Sequence, residues 1–235
     1  MRITKSKVFV TSLVVSLVAI LSMSTLAWFS DSDSVSNKFL VADSVDIDTP
    51  DEVFSIDVYE KYDGDEDGTP EEYQNGITYD KILPGAELGK LALVKNTGNY
   101  DQYVRVIITI SDKSVWKDMV EDAGGDFASY DVRDHFVGFD SSAWDLDNST
   151  VSYDDTNDTI VYVVYYNAIL APNDEIEVFE AIKIPEIMTR DHAAALNADG
   201  EHGFTVDVRA QAVQTEYVGD SAFEAFATVQ MQIAD

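Results

Sequence analysis

The chain has no cysteine in its 235 residues. Disulfide stapling, thiolate metal sites and thiol nucleophiles are therefore closed to it. Basic residues are nearly as scarce, with 15 Lys and Arg against 44 Asp and Glu, for a net charge of −29. That field repels nucleic acid and anionic lipid. Proline occurs only five times, and there is no Pro- or Ser-rich linker and no repeat of fixed period. A Walker A loop, G-x-G-x-x-G, G-x-S-x-G and H-E-x-x-H are all missing. Nucleotide binding, nucleophile-elbow hydrolysis and zinc-protease chemistry thus have no motif behind them. Carboxylate pairs of glycosidase type carry no weight in so acidic a chain, because chance supplies them.

What is present begins with a leader. Arg2, Lys5 and Lys7 precede an apolar run from Val8 to Leu21, and Thr25-Leu26-Ala27 supplies small residues at a processing site. Cleavage between Ala27 and Trp28 leaves 208 of the 235 residues. It removes three of the basic residues and none of the acids, so the charge deepens from −29 to −32. An uncleaved anchor is the rival reading, since Val8 to Phe29 carries no charge and is long enough to span a bilayer. In both readings the basic end stays inside and the rest is exported. Hydrophobic residues make up 46% of the chain, which excludes a disordered polymer and permits one well-buried domain.

Period-two alternation dominates the exported part. Phe54, Ile56 and Val58 share one parity, as do Val104, Val106, Ile108 and Ile110, then Ile176, Val178, Ile182 and Ile184 with Glu180 interrupting, and finally Phe204, Val206, Val208, Ala210 and Ala212. Such rows mark half-buried strands. "LGKLALVKN" and "TIVYVVYYNAIL" are apolar on both parities and read as central strands. The joints "DGDEDGTPEEYQNG", "LPGAE", "NTGN", "DNSTVSYDDTNDT", "APNDE" and "NADGEHG" read as turns. Helical signals are few: "SVWKDMVEDAGG" closed by glycine, "PEIMTRDHAAAL" opened by proline, and Ser221 with Glu224 at capping-box spacing. Many strands without a βαβ rhythm predict an all-β sandwich with a few short helices. Trp116, Trp144 and the tyrosines of "YVVYYN" are expected in the core or on sheet faces.

One local motif carries chemistry. Asp63, Asp65 and Asp67 are spaced two apart and followed by Gly68, like the opening of a calcium loop. Thr69 offers a carbonyl and Glu71 a ligand through water, but the twelfth position is Gln74 where a bidentate glutamate belongs. A calcium site and a solvated acidic loop both remain open. His135, His192 and His202 each follow an acid, and surface histidines beside acids are the ordinary explanation of that pattern. Two sequons, at Asn148 and Asn157, matter only in a host that glycosylates.

The segments "LAWFSDSDSVSNKFLVADSVDI", "LPGAELGKLALVKNTGNYDQYVRVIITI", "VVYYNAILAPNDEIEVFEAIKIP" and "VRAQAVQTEYVGDSAFEAF" cover about two fifths of the chain and resemble the TasA/camelysin family of exported proteins. Where that family often has glycine, this chain has Asp43 and Asn173. The resemblance implies a SipW-type signal peptidase as processing partner and a jelly-roll β-sandwich over residues 51–235. It also implies a secreted protein that polymerises with itself into fibres of a biofilm matrix or cell surface, with accessory matrix proteins as further partners. Residues 28–50 would then leave their own subunit and complete a sheet of the next, with Trp28, Phe29, Val35, Phe39, Val41, Val45 and Ile47 as the donor residues. An open strand edge recruits another strand, and a head-to-tail contact that does not close builds a filament. The alternative, that this segment is the first strand of its own sheet, is left open by the residues alone. Two other functions stand beside the fibre: a camelysin-type metallo-endopeptidase, for which no catalytic residue maps onto this chain, and a calcium-dependent surface adhesion module. The calcium reading predicts binding heat in the wild type that disappears in Asp65→Ala. Equal heats in a calorimetric titration would leave a solvated loop.

Overall fold

A computed structural model of the chain describes residues 30–34, 54–62, 71–73, 83–196, 204–216 and 218–233. Within them run ten strands, three α-helices and two short 3-10 turns. The strands form two five-stranded antiparallel sheets. The first has the order β1 (Ser30–Ser34), β10 (Val206–Gln214), β5 (Gln102–Ile110), β8 (Thr159–Tyr166) and β7 (Trp144–Asp154). The second has the order β3 (Glu71–Tyr73), β2 (Ile56–Tyr62), β4 (Glu87–Asn96), β9 (Glu175–Lys183) and β6 (Phe136–Val137). The expected all-β sandwich with few helices is what the chain forms.

The period-two rows become its core. Val104, Val106, Ile108 and Ile110 of β5, Val208, Ala210 and Ala212 of β10, and Ile160, Tyr162 and Val164 of β8 are all buried. Ile56 and Val58 of β2, Ala92 and Val94 of β4, and Ile176 and Val178 of β9 join them in one cluster. Alternation turns every second residue to the same face, so each row meets the other sheet without further instruction. Trp144 is 1% exposed and Trp116 is 2% exposed, both in this cluster.

The Glu180 interruption has a structural cause. The β4–β9 ladder shifts register between Gly89 and Leu93, so Val178 and Phe179 are both fully buried while Glu180 is exposed. A bulge re-phases the strand. The joint "DNSTVSYDDTNDT" is corrected: most of it belongs to β7, and the turn is confined to residues after Asp154. β7 is an edge strand, so polar residues on both faces meet water and the alternation signal disappears.

Polar residues also stitch the sheets. Fully buried Asn96, at the end of β4, donates from Nδ2 to the carbonyls of Tyr100 (2.7 Å) and Leu170 (2.9 Å) and accepts from the Gly98 amide at Oδ1 (2.9 Å). Gln102, also fully buried, donates from Nε2 to the Ser55 carbonyl (2.9 Å). Asn173, at φ 68°, takes the left-handed backbone that glycine would otherwise supply, a conformation asparagine tolerates better than most residues.

The helices are α1 (Lys113–Asp122), α2 (Arg190–Ala195) and α3 (Ala222–Ile233). The first ends toward Gly124 at φ 79°. The second begins later than its proline suggests, because Thr189 caps it through the His192 amide. The third starts as its capping-box spacing predicts: Ser221 Oγ accepts from the Glu224 amide (3.3 Å), and Glu224 Oε2 accepts from the Asp220 amide (3.0 Å). No helix among the described residues is long and apolar enough to cross a membrane.

Inside the second sheet Lys90 donates to Glu60 Oε1, with side chains 7% and 0% exposed, and the other carboxylate oxygen of Glu60 has no hydrogen-bond partner. Removing one member of such a pair strands the other charge in a dry core. Lys90→Met should therefore cost about 3–5 kcal/mol in urea unfolding, whereas Glu60→Leu combined with Lys90→Met should recover most of that loss.

Candidate assembly edge

β10 has a buried partner on one side and a slight one on the other. Against β5 it forms nine consecutive pairs, from Val206↔Ile110 to Gln214↔Gln102. Its core-facing row of Val208, Ala210 and Ala212 is completely buried. On its opposite face Gln211 accepts from Arg105 Nε (2.6 Å), and the Arg105 guanidinium lies 4.3 Å from the centroid of the Phe226 ring. There α3 covers the sheet, packing Ala222, Ala225 and Phe226 on Tyr103, Tyr165 and Val213.

The outer edge of β10 is taken by β1. The register pairs Ser30↔Val213, Asp31↔Ala212, Ser32↔Gln211, Asp33↔Ala210 and Ser34↔Arg209. Opposite residues in a ladder share a face. Asp31 and Asp33 therefore hold the positions on the core row, and the three serines hold those on the α3 side. The ladder supplies main-chain pairing along the outer edge of β10 over five residues. The described part of β1 ends opposite Arg209, three residues short of the start of β10.

These five residues are the portion of the 28–50 segment that the structure describes, and they lie on the sheet of their own chain. Ala27, Trp28, Phe29, Val35, Phe39, Val41, Val45 and Ile47 fall outside the described residues. So do Asp63, Asp65, Asp67 and Thr69 of the acidic loop, while Glu71 opens β3 opposite Tyr62. Among the described residues no group of three or more His, Asp or Glu side chains is placed to hold a metal ion. Both sequon asparagines are engaged: Asn148 Nδ2 donates to Asp145 (2.7 Å) and Asn157 Nδ2 to Asp154 (2.6 Å).

The histidines depart from the surface reading. His192 is 6% exposed, and its partner is Asp122, across on α1, not the neighbouring Asp191. Its Nδ1 accepts from the Thr189 amide (3.1 Å), so Nε2 carries the proton and donates to Asp122 Oδ2 (3.1 Å). One ring thus closes the cap of α2 and ties that helix to α1. His135 Nδ1 lies 2.8 Å from the Lys183 carbonyl. A carbonyl only accepts, so Nδ1 carries the hydrogen. His202 lies outside the described residues. Local sequence could not signal either long-range partner.

No protein-family model, curated protein or solved structure matches the chain.

Burial, first among its causes, pushes the His135 pKa below the usual 6.5, outweighing the Lys183 hydrogen bond and the nearby Asp134. A histidine held neutral in the fold stabilises above its unfolded pKa, and that stability drains as pH falls from about 6.5 toward the folded value. Between about pH 7 and pH 5 the urea midpoint of the wild type should drop relative to His135→Asn, which keeps a donor near Lys183 but does not titrate. Parallel pH profiles for the two proteins would remove this account.

Proposed function

We propose that the chain is an exported structural subunit that assembles head to tail into extracellular fibres, each copy lending residues 28–50 as an edge strand to the next copy. The observation that carries this reading is the β1–β10 edge: a long, well-buried strand whose outer edge is paired in register with a segment of five serines and aspartates. A strand so held can exchange between copies, because the same backbone bonds form in either arrangement and little buried apolar surface is surrendered.

Residue parity supports the reading further. In β1 the odd-numbered positions 31 and 33 lie on the core row, opposite Ala212 and Ala210. Phe29, Val35, Phe39, Val41, Val45 and Ile47 are odd-numbered too. The same register carried past Ser34 in the assembled form would set Val35 opposite Val208, a fully buried member of that row. The leader and the resemblance to the TasA/camelysin family point the same way: tethering at the membrane would withhold the donor until processing frees it. Subunits this acidic repel one another, so added salt should favour packing by shortening the Debye length.

The absence of native cysteine gives a clean test. With Asp33→Cys and Ala210→Cys in one chain, oxidation of dilute protein should give a disulfide within each molecule. Oxidation under filament-forming conditions should give a covalent ladder on a non-reducing gel. Filaments visible by electron microscopy whose disulfides all remain within single chains would overturn strand donation.

A further inference from the structure

The first sheet ends on β7, at the side opposite β1. Among the described residues β8 is the only strand bonded to it, in register from Thr150↔Val163 to Asp154↔Thr159. The other edge of β7 offers its main-chain donors and acceptors to an incoming strand. Edge strands are commonly guarded by charge, proline or a bulge. β7 is guarded only toward its ends. Its register shift lies between Asp145 and Thr150, and its acids are Asp145, Asp147 and Asp154. The stretch Asn148–Tyr153 holds neither charge nor proline, in a chain of which 25% is charged.

The same stretch brings apolar surface to the rim. Val151 and Tyr153 stand opposite Tyr162 and Ile160, each 1% exposed in the core, so they share the core-facing side of the sheet. Yet Val151 is 39% exposed and Tyr153 38%. The apolar row of the core thus runs out to the last strand and stops there uncovered. Tyr153 is held by Phe127, with ring centroids 4.8 Å apart. On the opposite face α3 packs on Tyr165, which pairs with Asp145, whereas Ser152 pairs with Val161 further along. The helix therefore leaves the Thr150–Asp154 end clear.

A second copy of the chain matches this edge. With two β7 strands antiparallel about an axis through Ser152, each Val151 faces a Tyr153 and each Thr150 faces an Asp154. A β-branched residue opposite an aromatic is a favourable cross-strand pair, and here it occurs twice. No acid opposes an acid: the two Asp154 residues lie four positions apart, roughly 14 Å, beyond the Debye length of about 8 Å at physiological salt. An axis through Val151 would set Tyr153 against Ser149 and lose both apolar pairs. A charged partner strand would find no counter-charge on Asn148–Tyr153.

We propose that β7 is a self-pairing edge, through which two copies join antiparallel about Ser152 and continue the first sheet from one molecule into the other. The contact does not rest on strand donation, because it uses the edge farthest from β1 and leaves β10 untouched. In a fibre it would tie neighbouring filaments side by side. A short strand on each side buries far less than the roughly 800 Å² per partner of a stable interface. The contact between free subunits is therefore weak, and repetition along a fibre strengthens it.

Covalent trapping suits a weak contact, and the chain has no cysteine of its own. The full chain carrying Ser152→Cys is oxidised at high concentration with salt added to screen repulsion. Rates of dimer formation are normalised to each thiol's reaction with a small disulfide reagent. Ser152→Cys should dimerise at least about tenfold faster than Thr150→Cys, whose sulfurs the pairing would hold roughly 14 Å apart, out of disulfide reach. Adding Val151→Asp to Ser152→Cys should remove that advantage with thermal unfolding unchanged, since Val151 is exposed. Equal normalised rates for the two cysteines, or a Ser152→Cys rate indifferent to Val151→Asp, would overturn the proposal. Either result leaves the Asp33–Ala210 ladder to succeed or fail separately.

Discussion

The β10–β5 ladder is the constraint on which the rest of the molecule depends. It joins residues 206–214 to residues 102–110 without a break in register, and both strands turn a wholly buried row toward the second sheet. Because β5 runs on into α1, the ladder fixes where Trp116 stands. Because β10 runs on into α3, it fixes which outer face is covered. The other long edge of β10 is left for a short polar strand. With no disulfide available, the buried rows, the Asn96 and Gln102 clamps and the Glu60–Lys90 pair hold the sheets.

Much of this fold could be read from the chain. Strands covered on both sides, such as β5 and β10, keep strict alternation because each face has a fixed environment, and β4 and β8 read as central because both parities are apolar. The reading failed where the environment is not two-sided. β7 is an edge, so water accepts its polar residues on either face, and the run from Asp147 to Tyr153 looks like a loop. Phe179 is buried out of phase because a bulge re-phases β9 after Val178, and no local pattern announces a bulge.

The site was legible in part. The odd-numbered apolar residues of the 28–50 segment share the parity of Asp31 and Asp33, a relation computable from sequence once the register of one short strand is known. The partner of that strand was not legible, since Ser30–Ser34 carries no apolar signature by which to match it with β10. The same holds for His192 and Asp122, and for His135 and the Lys183 carbonyl. Such groupings join residues that only the finished fold brings within reach, and Asp191, next to His192 in sequence, is not the acid its ring meets.

The chain order of the first sheet also bears on biogenesis. Its central pairing joins a strand from the middle of the polypeptide to one near its end, so the sheet cannot close until almost the entire chain has been made. Non-local pairing of this kind leaves earlier strands waiting. The first sheet is thus completed only when chain synthesis is nearly over, and a strong acidic surplus keeps the waiting strands of neighbouring molecules apart in the interval.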